Sequence, residues 1–317
     1  MDIEYFAPLG RAFDRMKRAL FQPFDLRKWF VVGFAAFLAG LTDARSNGGF
    51  WGNPAGKRKG GDPGDIFRMP YEIWDWVVEH PGWMIAIAVL LLVVIAIGIA
   101  ITWLSSRAKF IFLDNVVRDH ALIARPWREY RREGNSFFLW NLVLGAIGAL
   151  VTLPYLVFCF LSLKALYERS PSGAMLIVPG ILYGLGILAI FFLFGFVSLM
   201  LKEFVVPIMY RDRTAALPAV RKFLTIFGPR LLCFIGYALL LFFLLLGIGL
   251  AVVAAGCVTC CIGFVILMIP YIGAVVLLPV SYTLRAFSVE FLQQFGDEFQ
   301  VIPVLGDVLP PTPPVLA

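Results

Sequence analysis

Residues 231–284 read LLCFIGYALLLFFLLLGIGLAVVAAGCVTCCIGFVILMIPYIGAVVLLPVSYTL, 54 residues without one charged side chain. A helix crosses the hydrocarbon core of a bilayer with roughly 20 apolar residues, so this stretch is too long for a single crossing. It must fold back on itself. The small residues Gly256, Cys257, Thr259, Cys260 and Cys261 supply the break, giving spans of about 231–254 and 261–284.

Working outward, three more uncharged runs appear: Pro171–Leu201 with 31 residues, Ser136–Leu163 with 28 and Pro81–Ser106 with 26. They predict spans at about 173–200, 136–162 and 82–106. A shorter run, Trp29–Thr42, has only 14 residues, about 21 Å of helix. Lys28 can snorkel there while Phe21 and Phe24 extend the apolar surface, so 25–42 is read as a short or tilted first span. It is not read as a signal peptide. About 28 residues precede it and no small-residue cleavage pattern follows. Charged residues make up 15% of the 317-residue chain, against about 25% in a soluble domain.

The expected fold is therefore all-α, a polytopic membrane helix bundle. Six transmembrane helices form three hairpins with cytoplasmic amphipathic helices. This domain occupies 1–296. A tail at 297–317, containing Pro310, Pro311, Pro313 and Pro314, is expected to be extended.

Lysine and arginine orient the bundle, because they accumulate on the cytoplasmic side. With six spans, 20 of them fall on one side and seven on the other. Both termini are then cytoplasmic, and 43–80 is an outer loop. The net charge of +6 is thus a membrane signature. No basic face combined with stacking aromatics points to nucleic acid. The outer loop begins glycine-rich, then collects Ile73, Trp74, Trp76 and Val77, which predict a short interfacial helix over 70–79.

The three hairpins repeat. Arg118 and Arg211 stand 93 residues apart, as do Arg128 and Arg221. Phe13/Met16, Trp127/Tyr130 and Val220/Phe223 occupy like places in the basic segments that precede the odd spans. Parallel repeats about an axis along the membrane normal would give this pattern. So would the general need of interfacial helices for one apolar and one basic face.

Several short motifs resemble those of uncharacterised bacterial six-helix membrane proteins, a domain of unknown function. They are Pro8-Leu9 with Arg11-Ala12-Phe13, Phe21-Gln22-Pro23-Phe24, Phe112-Leu113-Asp114, Pro126 to Tyr130, Phe204 to Tyr210, and Arg285-Ala286-Phe287-Ser288. The plan is also similar to the membrane domain fused to some bacterial glycerophosphodiester phosphodiesterases. The resemblance implies an inner-membrane bundle and no established activity. The soluble catalytic barrel of those enzymes has no counterpart here, so their chemistry does not carry over.

Candidate chemistry is sparse. His80 and His120 are expected on opposite sides of the membrane and so cannot share a metal. Cys257-x-x-Cys260 at the last outer turn is a candidate disulfide, or simply small residues packed in a turn. A zinc site would want four nitrogen or sulfur ligands, which are not at hand. No ionisable residue lies within an assigned span, which speaks against a proton-coupled carrier. Asn141 suits one interhelical bond, while Gly180, Gly184 and Gly186 allow close packing or a homo-oligomer. Pro154, Pro179, Pro270 and Pro279 are candidate kinks. Arg118, Arg128, Arg211 and Arg221 are the candidate headgroup or phosphate site, since arginine matches phosphate geometry. Their other reading is a salt-bridged collar with Asp114, Asp119, Glu129, Glu133, Glu203 and Asp212.

The function expected is that of a non-enzymatic envelope scaffold, accessory or lipid-handling protein without cofactors, its partners the anionic lipids of the cytoplasmic leaflet. The alternative is a carrier or flippase for a lipid or small amphiphile.

Overall fold

A computed structural model describes residues 3–43, 63–169, 173–259 and 262–302. Every regular element among them is helical. Four helices are long and apolar enough to cross a membrane. They are α4 (Pro81–Arg118), α6 (Arg131–Arg169), α10 (Leu231–Val258), and α7 (Gly173–Met200), which continues through a π-helical turn (Leu201–Val205) into α8 (Val206–Asp212). Their most apolar windows are only 0%, 6%, 6% and 11% buried, in that order. A Leu or Ile side chain left in water forfeits roughly 1.5–3 kcal/mol, so surface of this kind belongs against lipid. These are the properties of a multi-pass membrane protein.

Four of the six expected crossings correspond to these long helices; the other two stretches do not form helices of that length. Helix α2 (Leu26–Gly40) has 15 residues, about 22 Å. The stretch expected as a sixth span divides into α11 (Ile262–Met268), α12 (Pro270–Val276) and α13 (Leu278–Gln293). The breaks fall at Ile269 and Leu277, with Pro270 and Pro279 in the first turn of the helices that follow. Proline lacks the N–H that a continuing helix would need, yet suits a first turn.

The chain forms two compact units. One comprises 49–102 and 139–198. In it α3 (Pro63–Glu79) extends the helix expected at 70–79, and leaves Trp74 and Trp76 exposed. Phe67 packs against Phe160 and Tyr167, with ring centroids 5.8 and 5.5 Å away. Lys164 Nζ donates to Tyr71 Oη at 2.9 Å. Residues expected in the two outer loops thus meet one another.

The other unit comprises 1–48, 103–138 and 199–317. Helix α1 (Phe6–Phe21) packs along α13. Arg11 pairs with Glu290 at 2.9 Å, and Tyr5 stacks on Phe291. The last carbonyls of α1 would be orphans. Lys28 Nζ takes that of Ala19 and Trp29 Nε1 that of Leu20. Asp25 caps α2 by accepting from the Arg27 N–H. The core is aromatic: Phe204, Phe234, Tyr237, Phe287 and Phe291 are fully buried. Phe299 is buried as well, with Lys222 Nζ 5.2 Å from its ring centroid. The tail expected from 297 therefore starts inside the fold, because Phe299, Val301 and Ile302 are apolar enough to stay there. Residues 303–317, with the four prolines named above, lie outside the described residues, as does most of the glycine-rich segment.

Two places in this unit share a geometry. Phe110 stacks on Tyr130 at 16° and meets Phe137 edge-on at 81°. Phe204 stacks on Phe223 at 6° and meets Phe234 edge-on at 82°. The helices bearing Phe110 and Phe204 both end in a non-glycine residue at φ 52°, Asp119 and Arg213. In α1, α5 (Ala124–Glu129) with the residue after it, and α9 (Ala216–Phe227), the second of each aligned pair is buried: Met16, Tyr130 and Phe223.

The α2–α12 contact depends on Gly33, where an added Cβ would stand 2.7 Å from Val275 Cγ2. Gly33→Leu is expected to lose about 1–3 kcal/mol through overpacking, read as a lowered apparent Tm in detergent. An unchanged Tm would mean that α2 is free to move away from α12.

Candidate functional site

Span ends read from hydropathy stop at the first charge, but the helices do not. At 1.5 Å per residue the 38 residues of α4 extend about 57 Å, well beyond a hydrocarbon core of about 30 Å. Past its apolar part α4 enters the helical unit with Ser105, Ser106, Arg107, Lys109, Asp114 and Asn115 all buried. Two polar centres result.

The first joins four chain segments. Asp43, just beyond α2, receives Lys202 Nζ at 2.5 Å and Lys109 Nζ at 3.5 Å. Lys109 also donates to Thr42. Glu203, on the π-helical turn beside Lys202, pairs with Arg285 of α13 at 3.7 Å. Arg285 Nη1 donates to the Lys202 carbonyl at 2.9 Å. Among the described residues Lys109, Lys202 and Arg285 thus face the carboxylates of Asp43 and Glu203. Lys109, Glu203 and Arg285 are all buried. Desolvating such ions costs several kcal/mol each, so only mutual pairing makes the cluster tolerable. The sequence reading put Asp43 in an outer loop and Lys109 and Lys202 in cytoplasmic ones. The structure brings the three together because paired charges let the helices run on without meeting water. A single π turn inside a helix is frequent at functional sites.

The second centre is Asp114, 1% exposed. Its carboxylate accepts from Tyr210 Oη at 2.8 Å and Tyr130 Oη at 3.1 Å. Arg118 Nε lies at 3.2 Å and His120 Nε2 at 3.1 Å. His120 Nδ1 lies 2.9 Å from Asn115 Oδ1, which also accepts the Leu122 N–H. Burial, then the bond with Tyr210 and the Asp114 charge, push the Tyr130 hydroxyl well above the usual tyrosine range against the pull of Arg213. Tyr130 therefore stays protonated and remains a donor. Arg213 stands 3.9 Å over the Tyr130 ring and bonds to Glu129. Arg118 and Arg125 also reach Glu129.

Burial raises the Glu129 carboxyl, but the Arg213 bond and the charges of Arg213, Arg118 and Arg125 outweigh it and hold the group below the usual range. Its folded pKa is depressed, so its stabilisation is complete above the ordinary carboxylate value and fades as pH falls through the lowered one. Melting between about pH 6 and about pH 3 should show Glu129→Gln losing less on acidification than the wild type. Parallel loss would place the acid sensitivity elsewhere.

The four arginines singled out from sequence do not form one set. Arg118 belongs to the Asp114 centre. Arg211 lies by Asp212 and donates to the Asp297 carbonyl at 2.9 Å. Arg128 and Arg221 are exposed, and Arg128 donates to the carbonyl of Ala124 in its own helix. Next to Arg128, Trp127 helps hold another arginine: Arg107 lies 4.8 and 4.9 Å from the ring centroids of Trp103 and Trp127. The Asn135 side chain accepts from Arg107 Nε at 3.1 Å.

Residues 5–289 match a family of unknown function (DUF7544). The chain belongs to that family. The matched region contains Asp43, Lys109, Lys202, Glu203 and Arg285, and the whole Asp114 centre. No curated protein and no solved structure matches the chain.

Among the described residues no three His, Cys, Asp or Glu side chains come together to hold a metal. Cys257 carries an exposed thiol. Cys260, its candidate disulfide partner, lies outside the described residues. The salt-bridged collar read from sequence named Asp114, Glu129 and Glu203 as carboxylates of these centres, but not Asp43, Lys109, Tyr130 or Tyr210. One signal was available: Lys109 and Lys202 also stand 93 residues apart.

Proposed function

We propose that this family member is a non-enzymatic, lipid-handling protein of the bacterial inner membrane that holds anionic phospholipid headgroups at a basic rim. The observation that carries this reading is the outward face of α9. Leu217, Arg221 and Leu224 lie there at i, i+4 and i+7, all exposed, while Ala216, Ala219, Phe223 and Ile226 fill the core. Apolar side chains and arginine on one exposed stripe suit the boundary between acyl chains and headgroups. Helix α1 presents Phe6, Phe13 and Phe21 around Lys17 in the same way, and α5 presents Arg128. Each cation near an anionic surface contributes about 1 kcal/mol.

The basic rim then faces the cytoplasm and both termini lie on that side, with four helices crossing the membrane; the end of α2 stays with the basic ends of the long helices, where Asp43 meets Lys109 and Lys202. The plan shared with the membrane domain of some glycerophosphodiester phosphodiesterases fits this role. The matched aromatic trios and the helix ends at Asp119 and Arg213 favour parallel repeats. A carrier or flippase for lipids is the second reading, favoured by the π-helical turn and the broken α11–α13 passage beside buried charges.

Melting in detergent with added phosphatidylglycerol or phosphatidylcholine tests the headgroup reading. Phosphatidylglycerol should raise the wild-type Tm more, by several degrees, and Arg128→Ala/Arg221→Ala should lose most of that difference. Equal stabilisation by both lipids would contradict it.

A further inference from the structure

We infer that Arg107 forms the floor of a site for the phosphate diester of one membrane phospholipid. This rests on the lipid-handling reading above and supplies a contact that any phospholipid can make, whatever its headgroup. The site lies wholly within the unit formed by 1–48, 103–138 and 199–317. Arg107 is 6% exposed. A guanidinium keeps its charge in a protein and carries five N–H donors. Among the described residues one of these meets an acceptor, Nε with Asn135 Oδ1 at 3.1 Å. That oxygen is already shared, since Trp103 Nε1 donates to it at 3.2 Å. Nη2 is buried without an acceptor. The other buried cations of this unit lie against carboxylates, Lys109 at 3.5 Å from Asp43 and Arg285 at 3.7 Å from Glu203. The charged neighbour of Arg107 among the described residues is instead a second cation, Arg131. Glu133, beside Gly134, does not fill the gap, for its own Oε2 is buried without a donor.

Burying an uncompensated charge is unfavourable, and the ring faces of Trp103 and Trp127 offset only part of that. Water would accept from Nη2 yet bring no counter-charge. Position decides the anion. Arg107 is the first charged residue after the 26 uncharged residues of Pro81–Ser106, so it stands where the hydrocarbon run ends. Headgroups begin at that level, and tryptophan is enriched there. With Nε held by Asn135, the edge left for a ligand is that of Nη1 and Nη2, which suits two oxygens of one phosphate. The stem is fixed as well. A Cβ added at Gly134 would stand 2.8 Å from Arg107 Cγ, so α6 presses directly on the arginine. Trp103, Arg131 and Asn135 are exposed around it and form the rim of the site. Rotation of one indole to another rotamer uncovers Nη2.

The test uses full-length protein in detergent, titrated with phosphatidylcholine or with diacylglycerol of the same acyl chains, which carries no phosphate. The readout is the lipid concentration that gives half the rise in apparent Tm. For the wild type, phosphatidylcholine should act at a concentration at least about tenfold lower, the strength of one charge-assisted hydrogen bond. Arg107→Gln removes the charge and should bring the two lipids level, with folding checked by circular dichroism. Should Arg107→Gln not fold, Arg131→Ala carries the test from an exposed position. Without lipid it should melt at or above the wild type, because a repulsion is gone, yet its phosphatidylcholine advantage should shrink by about fivefold. A merely structural arginine pair would give no such split. Equal action of the two lipids on the wild type, or an unchanged advantage in Arg107→Gln and Arg131→Ala, would overturn the inference. So would an equal Arg107-dependent rise with inorganic phosphate alone, which would identify a free anion as the occupant. Equal action of phosphatidylcholine and diacylglycerol leaves the preference for phosphatidylglycerol, and with it the headgroup reading, standing. Failure of Arg128→Ala/Arg221→Ala to lose that preference removes the headgroup reading alone.

Discussion

Replacing Asp114 by alanine is expected to cost the unit of 1–48, 103–138 and 199–317 about 3–5 kcal/mol. The carboxylate is 1% exposed and is met by Tyr130, Tyr210, Arg118 and His120. Its removal leaves two buried phenols without their acceptor and Arg118 without one of its counter-charges. Asp114→Asn keeps an acceptor but not the charge, so it should fall between alanine and wild type. Tyr210→Phe removes one bond to a charged acceptor and should cost about 1.5–3 kcal/mol. Apparent Tm in detergent and the yield of monodisperse protein read the series. An Asp114→Ala variant that melts with the wild type would mean that the centre does not hold its three segments together.

The second large effect lies at Asp43. Asp43→Ala takes a counter-charge from the buried Lys109 and leaves Lys202 with Glu203, and is expected to cost about 3–5 kcal/mol. Lys202→Met removes one of the two cations. Adding it to Asp43→Ala should therefore recover part of the loss. The double-mutant cycle should give a coupling of at least about 1 kcal/mol, because the two side chains lie 2.5 Å apart. Additive losses would show that the ion pair is not formed in the folded protein.

How far the sequence could be read follows from the solvent. Lipid demands long uncharged runs, so α4, α6, α7 and α10 are visible from residue type alone. The interfacial helices α1, α5 and α9 are visible too, through apolar residues at helical spacing among arginines. Helix ends are not visible in this way. Hydropathy stops at Arg107 and Lys202 because it treats every charge as hydrated, whereas Lys202 is paired with Asp43, which lies 159 positions earlier. The Asp114 centre gathers Tyr130 from 16 positions away and Tyr210 from 96, a convergence that no local pattern encodes. Of the four arginines, the residue type suggested phosphate for all. All four are exposed, and only their partners separate Arg118 and Arg211, which lie against carboxylates, from Arg128 and Arg221.

The central claim is that exposed arginines on interfacial helices retain anionic phospholipid. Native mass spectrometry of the protein released from nanodiscs of mixed phosphatidylglycerol and phosphatidylcholine tests it most directly. Wild-type protein should carry phosphatidylglycerol in preference to phosphatidylcholine, and Arg128→Ala/Arg221→Ala should carry less of it. Equal retention in the two proteins, or no preference between the lipids, would contradict the claim and leave those arginines as solvated surface.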